Sequence, residues 1–428
     1  MVTILFIAFF LLLFLSVPVA VALGGSSFLA LLLESYSLTT IPQKVFEGLS
    51  GFTLLAIPFF ILAGNLMSSG GIAKRIINFA SVLVKWVTGG VGVTTILTTT
   101  IFSTISGSSS ATTAAIGSIM IPNMEKRGYA RNFAAALSAA AGEMGAIIPP
   151  SIVIIMYAMA SGTSIGDMFL ATIIPGILVG VFLIIGNYLY VRSAGIDRRE
   201  EIKSRKNWFK DILIAFKESI LALLLPVLIF GGIYLGLFSP TEVAVLAVIY
   251  SFILGVFVYK EIKLRDVHKV FIKSAMSTAI IMVIVGFASI FAYVLTINQI
   301  PHQIAQFLLN VTENPIIFLL LLNLLLLFLG MFLEAFSAII ILTPILLPAA
   351  LSFGIDPIHF GVILILNLAC GMITPPVGVN LFIVSEIAKV PFAKLIRPAL
   401  FLVTLLLINV LLITYIPDLS TWLPSLTR

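Results

Sequence analysis

The apolar residues of this chain are gathered in segments long enough to cross a membrane as helices, and too long for the strands of a barrel. A bilayer core needs about 20 apolar residues of helix. Two segments, at about residues 89–122 and 314–351, are interrupted in the middle by polar or small residues. The uninterrupted segments lie at about residues 4–33, 52–70, 130–161, 166–192, 211–238, 240–259, 274–296, 356–386 and 394–416.

Lys and Arg residues are concentrated in alternate connections, which sets an orientation. The basic clusters lie at Lys74–Lys85, Lys126–Arg131, Arg192–Lys217, Lys260–Lys273 and Lys389–Arg397. The connections without Lys or Arg lie at Ser161–Asp167, Phe238–Glu242, Thr296–Asn314 and Ser352–His359. If basic loops are cytoplasmic, segment 89–122 enters and leaves from the cytoplasm, and segment 314–351 from outside. We therefore expect two re-entrant hairpins that face each other.

An internal repeat supports this topology independently. Sliding the chain against itself by 226 residues aligns the sequences GAIIPPS and GMITPPV, which share the pattern G-x-I-x-P-P. Each follows its hairpin at the same distance. Matching hairpins with opposite charge flanks indicate an inverted-topology repeat, the plan of many secondary transporters.

The predicted fold is an all-α polytopic membrane protein with an inverted-topology repeat, two re-entrant helical hairpins and two broken helices. The first repeat covers residues 1–193, a basic cytoplasmic linker covers 194–210, and the second repeat, with one extra helix, covers 211–428. Two amphipathic stretches, Gly71–Trp86 and Glu261–Lys273, are expected to lie in the membrane interface.

Composition agrees with a membrane protein, because 60% of the 428 residues are hydrophobic and only 10% are charged. Soluble domains carry about 25% charged residues. The first residues lack a basic region and a cleavage site, so they are interpreted as the first membrane helix. The net charge of +6 is attributed to positive-inside topology, and the single cysteine, Cys370, excludes an internal disulfide framework.

The stretch Thr98–Thr113 is an uncharged run of hydroxyl and glycine residues within an apolar chain. Such a segment is tolerated at membrane depth where it packs in protein or lines a wet cavity. Two interpretations are open: a small-residue surface for helix packing, and the tip of a hairpin at a binding site.

Each proline pair falls in the middle of a long apolar segment and should break its helix, because proline removes a backbone donor and clashes with the preceding turn. The predicted breaks are at Gly142, Pro149, Gly371, Pro375 and Pro376. A break exposes carbonyl oxygens, which suit a small hard cation, and N–H groups, which suit a carboxylate. A proline kink used only for packing is the alternative.

Two acidic residues, Glu143 and Glu334, lie within apolar segments, where a carboxylate is costly and is a functional candidate. Glu143 could bind a cation, carry a proton or pair with a basic residue; a structural hydrogen bond to a broken helix end is the alternative. Asn65, Asn187 and Asn367 are interpreted as polar contacts between helices.

No enzyme signature is present in the sequence, so no catalytic residue is predicted. The histidines are scattered without an H-E-x-x-H spacing, the hydroxyl run lacks the nucleophile-elbow pattern, and no Walker-type motif occurs. Energy for transport would then come from an ion gradient.

These motifs together resemble the large membrane subunit (DctM-type) of the tripartite ATP-independent periplasmic, or TRAP, transporters, and the resemblance covers essentially the whole chain. The motifs are IPFFILAGNLMSSGGIAKRI at Ile57–Ile76, FSTISGSSSATTAAIGSIMIP at Phe102–Pro122, AAGEMGAIIPPS at Ala140–Ser151 and NLACGMITPPVGVNLF at Asn367–Phe382.

The resemblance implies an elevator-type transporter of the bacterial inner membrane, in which a transport domain moves across a scaffold. It implies sodium-coupled uptake of an organic acid, such as sialic acid or a C4-dicarboxylate, with about two or more sodium ions and no organic cofactor. The implied partners are a separate small four-helix membrane subunit and a periplasmic substrate-binding protein.

Family sodium sites carried onto this sequence fall at Ser103, Ser106, Ser108 and Gly145, and at Gly330, Glu334, Met372 and Thr374. The family's substrate position falls near Ser109, Pro150, Val377 and Asn380. The alternatives to this function are a stand-alone sodium–dicarboxylate symporter, an ion channel and an intramembrane hydrolase. The sequence names neither the organic acid nor the oligomeric state.

Overall fold

A computed structural model describes residues 1–15, 17–34, 36–196 and 205–427, and of residues 205–207 it describes only the backbone. Throughout these ranges the ordered elements are helices. Those of the first half are α1 (Val2–Phe14), α2 (Val19–Leu33), α3 (Thr40–Leu49), α4 (Ala56–Ser69), α5 (Ile72–Val84), α6 (Gly90–Ser106), α7 (Ser109–Lys126), α8 (Arg131–Gly142), α9 (Met144–Ile147), α10 (Ile152–Ser161) and α11 (Ile165–Ala194).

The second half begins after the basic linker, of which residues 197–204 lie outside the described ranges. Its helices are α12 (Arg205–Tyr234), α13 (Pro240–Ile253), α14 (Val267–Ile297), α15 (Ile300–Val311), α16 (Pro315–Gly330), α17 (Ala335–Ser352), α18 (Pro357–Gly371), α19 (Val379–Ala388), α20 (Phe392–Tyr415) and α21 (Asp418–Ser425). The exact division into repeats stays a prediction.

Seven helices in the described ranges are long and apolar enough to cross a membrane. An eighth span is formed if the pair at Arg131–Ile147 and Ile152–Ser161, which is bent by 42°, counts as one. The all-helical, multi-pass fold predicted from the sequence is therefore confirmed. The second predicted break lies between α18, which ends at Gly371, and α19, which begins at Val379, so both broken helices are present.

The prediction of a single first membrane helix across residues 4–33 is wrong. The segment forms α1 and α2, of 13 and 15 residues, which pack against each other. Pro18 lies immediately before α2. Proline has no N–H to continue a preceding helix, but it fits at the start of a new one. Neither helix is long enough to span a bilayer alone.

The interface stretches are also partly different from the prediction. Gly71–Trp86 contains the amphipathic helix α5, but Glu261–Lys273 holds one 3₁₀ turn and then the first turns of α14, which continues without a break to Ile297. The connection Thr296–Asn314, predicted as a loop, contains α15.

Helix packing divides the described chain into two groups. One group contains α14 with α2, α3 and α4 packed on it, α13 packed on α4, and α5 packed on α12. The other contains α7, α8, α19 and α20 packed together, with α11 and the second-half helices α15–α18. Helix α6, the first arm of the first hairpin, contacts both groups. The predicted site residues lie in α6, in α9, in helices of the second group and in the connections that flank them.

Candidate functional site

The first hairpin turns at Gly107, which has a φ of +60° that a side chain would disfavour. Ser108 follows as the cap of α7, and its hydroxyl accepts a hydrogen bond from the Ala111 N–H at 3.4 Å. The turn rests on the broken helix, because the Ile152 N–H donates to the Gly107 carbonyl at 3.1 Å. The break therefore holds the hairpin tip through the backbone.

The threonine-rich arm of this hairpin is mostly self-satisfied. The hydroxyls of Thr94, Thr99 and Thr100 donate to carbonyls four residues earlier in α6, at 2.7–2.8 Å. These three hydroxyls are satisfied within the helix and need no ligand, which favours the packing interpretation for this arm. The Thr98 hydroxyl, by contrast, is buried without a hydrogen-bond partner among the described residues.

The first broken helix packs against the hairpin through glycines. A methyl group at Gly145 would lie 2.5 Å from the Ser108 carbonyl oxygen, and one at Gly142 would lie 1.7 Å from the Thr113 hydroxyl. Only glycine permits these approaches. Beyond α9, residues Ile148 to Ser151 leave the helix, and α10 begins at Ile152; the Pro149–Pro150 bond is cis, as is Pro375–Pro376.

The structure brings together the first predicted sodium set. The Ser103 carbonyl accepts from the Gly107 N–H at 3.2 Å, the Ser106 hydroxyl lies 3.4 Å from the Ser108 carbonyl, and Gly145 packs on that same carbonyl. The buried Ser103 and Thr112 hydroxyls have no hydrogen-bond partner among the described residues. Neutral oxygens of this kind fit a hard cation. Thr112 was missed by the sequence reasoning, since only the three-dimensional packing places it beside Gly145.

The second predicted set is built on a similar contact. Gly330, at the end of α16, touches the broken helix at Gly371, where a methyl group would lie 2.4 Å from the Gly330 carbonyl carbon. The Thr374 hydroxyl donates to the Cys370 carbonyl at 2.6 Å. Glu334 immediately precedes α17, and it lines the same small cavity as Met372.

The arms of the second hairpin diverge more than those of the first. Helix α16 packs mainly on α18, whereas α17 packs on α15, α10 and α18. The hairpin is nevertheless anchored to its broken helix, because the Gly378 N–H donates to the Met331 carbonyl at 3.2 Å. Each tip thus rests on the break of its own repeat.

The predicted substrate set is brought together only in part. Ser109 and Asn380 are buried, and the Asn380 amide donates to the Ser109 hydroxyl. Pro150 is buried below Gly107, with its carbonyl oxygen 3.1 Å from where a Gly107 methyl would lie. Val377 is half-buried in the loop between α18 and α19.

Glu143 lies at the centre of this cluster and joins three elements. Its carboxylate accepts from the Ser109 hydroxyl at 2.9 Å and from the Asn380 amide at 2.5 Å. Within the described ranges it forms no ion pair with a basic residue, so that interpretation of Glu143 is not supported. Its bonds connect the start of α7, the end of α8 and the first turn of α19.

The two hairpin tips meet at a small cavity. Ser108, Ser109 and Ser110 of the first tip line it together with Glu334 and Phe336 of the second. A larger cavity of about 580 Å³ lies beside the tips and is lined on its other side by α4 and α14. The tip also touches α4 directly, since a methyl group at Gly64 would lie 3.1 Å from the Ile105 carbonyl oxygen.

The chain is similar to known membrane transport proteins along nearly its whole length. Residues 6–419 match the family described as "Tripartite ATP-independent periplasmic transporter, DctM component". The chain is 40% identical to the C4-dicarboxylate TRAP transporter large permease protein DctM of Vibrio cholerae, over 99% of this chain and 98% of the relative. It is 38% identical to the sialic acid TRAP transporter large permease protein SiaM of the same species, over 97% and 96%.

A longer relative and a solved structure add to these matches. The isethionate TRAP transporter permease protein DctMQ of Oleidesulfovibrio alaskensis is 42% identical over 97% of this chain and 65% of its own length. The crystal structure of the Alcanivorax borkumensis YdaH transporter, described as having an unusual topology, matches with a TM-score of 0.60 over 88% of each chain. At 18% identity that match supports the fold alone.

Proposed function

Because the chain belongs to the DctM family of tripartite ATP-independent periplasmic transporters, we propose that it imports an organic acid by sodium-coupled secondary transport. The observation that carries this is the meeting of the two hairpin tips, each resting on a broken helix lined with neutral oxygens. Such breaks offer carbonyls to a cation and N–H groups to an anion.

The transport step that we propose is an elevator movement. The group of α7, α8, α19 and α20 carries the tips, and the group around α14 forms the scaffold. Helix α6 would move with the tips. Sodium ions, bound near Ser103, Ser106, Ser108 and Gly145 and near Gly330, Glu334, Met372 and Thr374, would order the tips before the substrate is carried across.

The partners follow from the family proposal. A periplasmic substrate-binding protein would deliver the organic acid, and a small membrane subunit would pack beside the scaffold in the inner membrane. The longer relative named DctMQ supports the second partner, because this chain matches 65% of it and leaves the remainder for other sequence.

The substrate is proposed as a compact organic anion. Named relatives include a C4-dicarboxylate permease and a sialic acid permease at similar identities, 40% and 38%, so identity alone does not select between them. A stand-alone sodium–dicarboxylate symporter remains the alternative.

We expect uptake only when the permease, the small subunit, the binding protein and an inward sodium gradient are all present in proteoliposomes. Radiolabelled succinate and N-acetylneuraminate are the probes. Omitting the binding protein, or replacing sodium with choline, should reduce uptake to the level of empty vesicles. Uptake that persists without any binding protein would favour the stand-alone symporter, and uptake that persists without sodium would exclude sodium coupling.

We expect the double variant Ser106→Ala with Thr374→Ala to lose sodium-dependent uptake while inserting normally. Each change removes a hydroxyl oxygen beside a proposed sodium position. A matched control is Ser118→Ala with Thr404→Ala, because these hydroxyls bond to carbonyls within exposed parts of α7 and α20. If the Ser106→Ala, Thr374→Ala double variant takes up substrate as fast as the control double variant, these sodium positions are rejected.

A further inference from the structure

The cavity of about 580 Å³ beside the hairpin tips is lined by the tips on one side and by α4 and α14 on the other. We call the part of its wall formed by Asn65, Ser68, Lys273 and Ser277 its polar end. On α14, its wall is formed by Lys273, Ser277 and Ile281, which are four residues apart and therefore share one helix face. On α4, Asn65 and Ser68 continue the polar end. Eight residues of helix rise about 12 Å, so Lys273 stands about that far from the level of Ile281.

The polar end of the cavity faces the side that the charge pattern assigns to the cytoplasm. Ser68 lies one residue before the end of α4, which leads to Lys74 and Arg75, and Lys273 lies in the second turn of α14, after the basic stretch 260–269. Basic connections are cytoplasmic under the positive-inside rule. The cavity therefore connects the hairpin tips to the cytoplasmic side.

Lys273 differs from the other lysine nearby in having no acidic partner. Its side chain is exposed and forms no ion pair within the described ranges, whereas Lys269, one turn earlier, binds Asp266 at 2.7 Å. The cavity wall has only one other charged residue, Glu334 at the tips. A lone ammonium group on the wall of a cavity that would receive an anion is a natural ligand for it, because it supplies a compact charge with three donors.

We propose that Lys273 binds the anionic group of the substrate, a carboxylate or sulfonate, after the hairpin tips have opened toward the cytoplasm. This inference rests on the proposed function. Helix α14 belongs to the group that does not carry the tips, so the contact exists only while the tips face this cavity. Lys273 thus forms a subsite on the side where substrate is released. It stabilises the state in which the loaded tips face the cytoplasm, and it stabilises no other state of the transport cycle.

The test compares transport from the two sides of the membrane. Proteoliposomes carry permease and small subunit in known orientation, and the probes are succinate, N-acetylneuraminate and isethionate. We expect Lys273→Gln to raise the KM measured from the cytoplasmic side about tenfold, because one charged contact with the substrate is lost. The KM for uptake from the periplasmic side, through the binding protein, should stay within about twofold of wild type. Lys273→Arg should restore the cytoplasmic KM. Lys269→Gln is the matched control and should change neither value.

A labelling experiment tests occupancy separately from transport. The natural Cys370 is buried, so a cysteine introduced by Ser277→Cys, one turn from Lys273 on the cavity wall, can report access of a maleimide from the cytoplasmic side. We expect a transported anion to slow the labelling when Lys273 is present and to leave it unchanged when Lys273→Gln is added. The unsubstituted chain gives the background from Cys370.

The outcomes separate this inference from the proposed function. If the wild-type chain transports none of the three anions, and none of them slows the labelling, both the proposed function and the role of Lys273 are overturned. Wild-type transport with an unchanged cytoplasmic KM in Lys273→Gln, or with an equal change in Lys269→Gln, would overturn the role of Lys273 alone. In that case Lys273 would be only an interfacial cation of the kind that anchors helices.

Discussion

Replacing Gly371 with alanine is expected to lower the rate of transport by about 5- to 150-fold while the protein still inserts and folds. The added methyl group would lie 2.4 Å from the Gly330 carbonyl carbon and 2.5 Å from its Cα, whereas ordinary contacts begin at 3.4 Å. Both neighbouring atoms belong to the backbone, so the second hairpin and its broken helix must separate by about 1 Å. Overpacking of this kind costs about 1–3 kcal/mol, which equals about 5- to 150-fold in a two-state equilibrium.

The measurement is the initial rate of substrate uptake, compared with the amount of protein in the membrane and its elution profile in detergent. Gly231→Ala is the matched control, because Gly231 lies in α12 with nothing within 4 Å of its added methyl group. That control should retain full uptake, since alanine is the better helix former by about 1 kcal/mol. Wild-type uptake by Gly371→Ala would mean that transport does not require the tight seating of the second tip.

The hairpins and broken helices could be predicted from the sequence because each leaves a local signal. The basic flanks of segment 89–122 and the basic-free flanks of segment 314–351 set the two directions of entry, and the proline pairs mark the breaks. Each of these signals depends only on residues within about one helix length of one another, so a single sequence is enough to detect it.

Other elements left weaker signals. Pro18 within residues 4–33 marked the start of α2, but the length of the apolar run favoured one helix. Helix α15 carries Ile300, Ile304 and Leu308 at four-residue spacing, which is typical of one face of a helix. The same stretch has no Lys or Arg, and that feature favoured a connection between two membrane segments. Propensity and hydropathy do not specify whether two short apolar helices pack side by side, since tertiary contacts decide it.

The cluster around Glu143 could not have been predicted from a single sequence. Its partners lie 34 and 237 residues away along the chain, and no local pattern links positions so distant. The sequence identified Ser109 and Asn380 through family resemblance. It identified Glu143 only as an acidic residue that is costly to bury in a membrane, with several roles open. Their connection emerges when the two repeats fold against each other.

Replacing Glu143 with alanine is expected to eliminate transport, and replacing it with glutamine is expected to preserve most of it. Alanine removes the shared acceptor, so the buried Ser109 hydroxyl proton and one of the two Asn380 amide protons lose their acceptor, at about 1–3 kcal/mol for each. The other Asn380 amide proton keeps its bond to the Ser109 hydroxyl. Glutamine has nearly the same shape and can keep all three contacts: its carbonyl oxygen can accept from the Asn380 amide, and its amide can donate to the Ser109 hydroxyl. The Ser109 hydroxyl proton alone then loses its acceptor. The network then survives without the negative charge.

The comparison distinguishes what Glu143 contributes. If glutamine transports well and alanine does not, the carboxylate serves to hold the first hairpin against both broken helices as one body. If glutamine is as inactive as alanine while both variants insert normally, the negative charge itself is required, as it would be for a bound cation. Full transport by the alanine variant would contradict both roles, since three elements of the chain meet at this one side chain. The measurement is uptake at several sodium concentrations, because a lost cation ligand raises the sodium requirement whereas a loosened contact lowers the rate at every concentration.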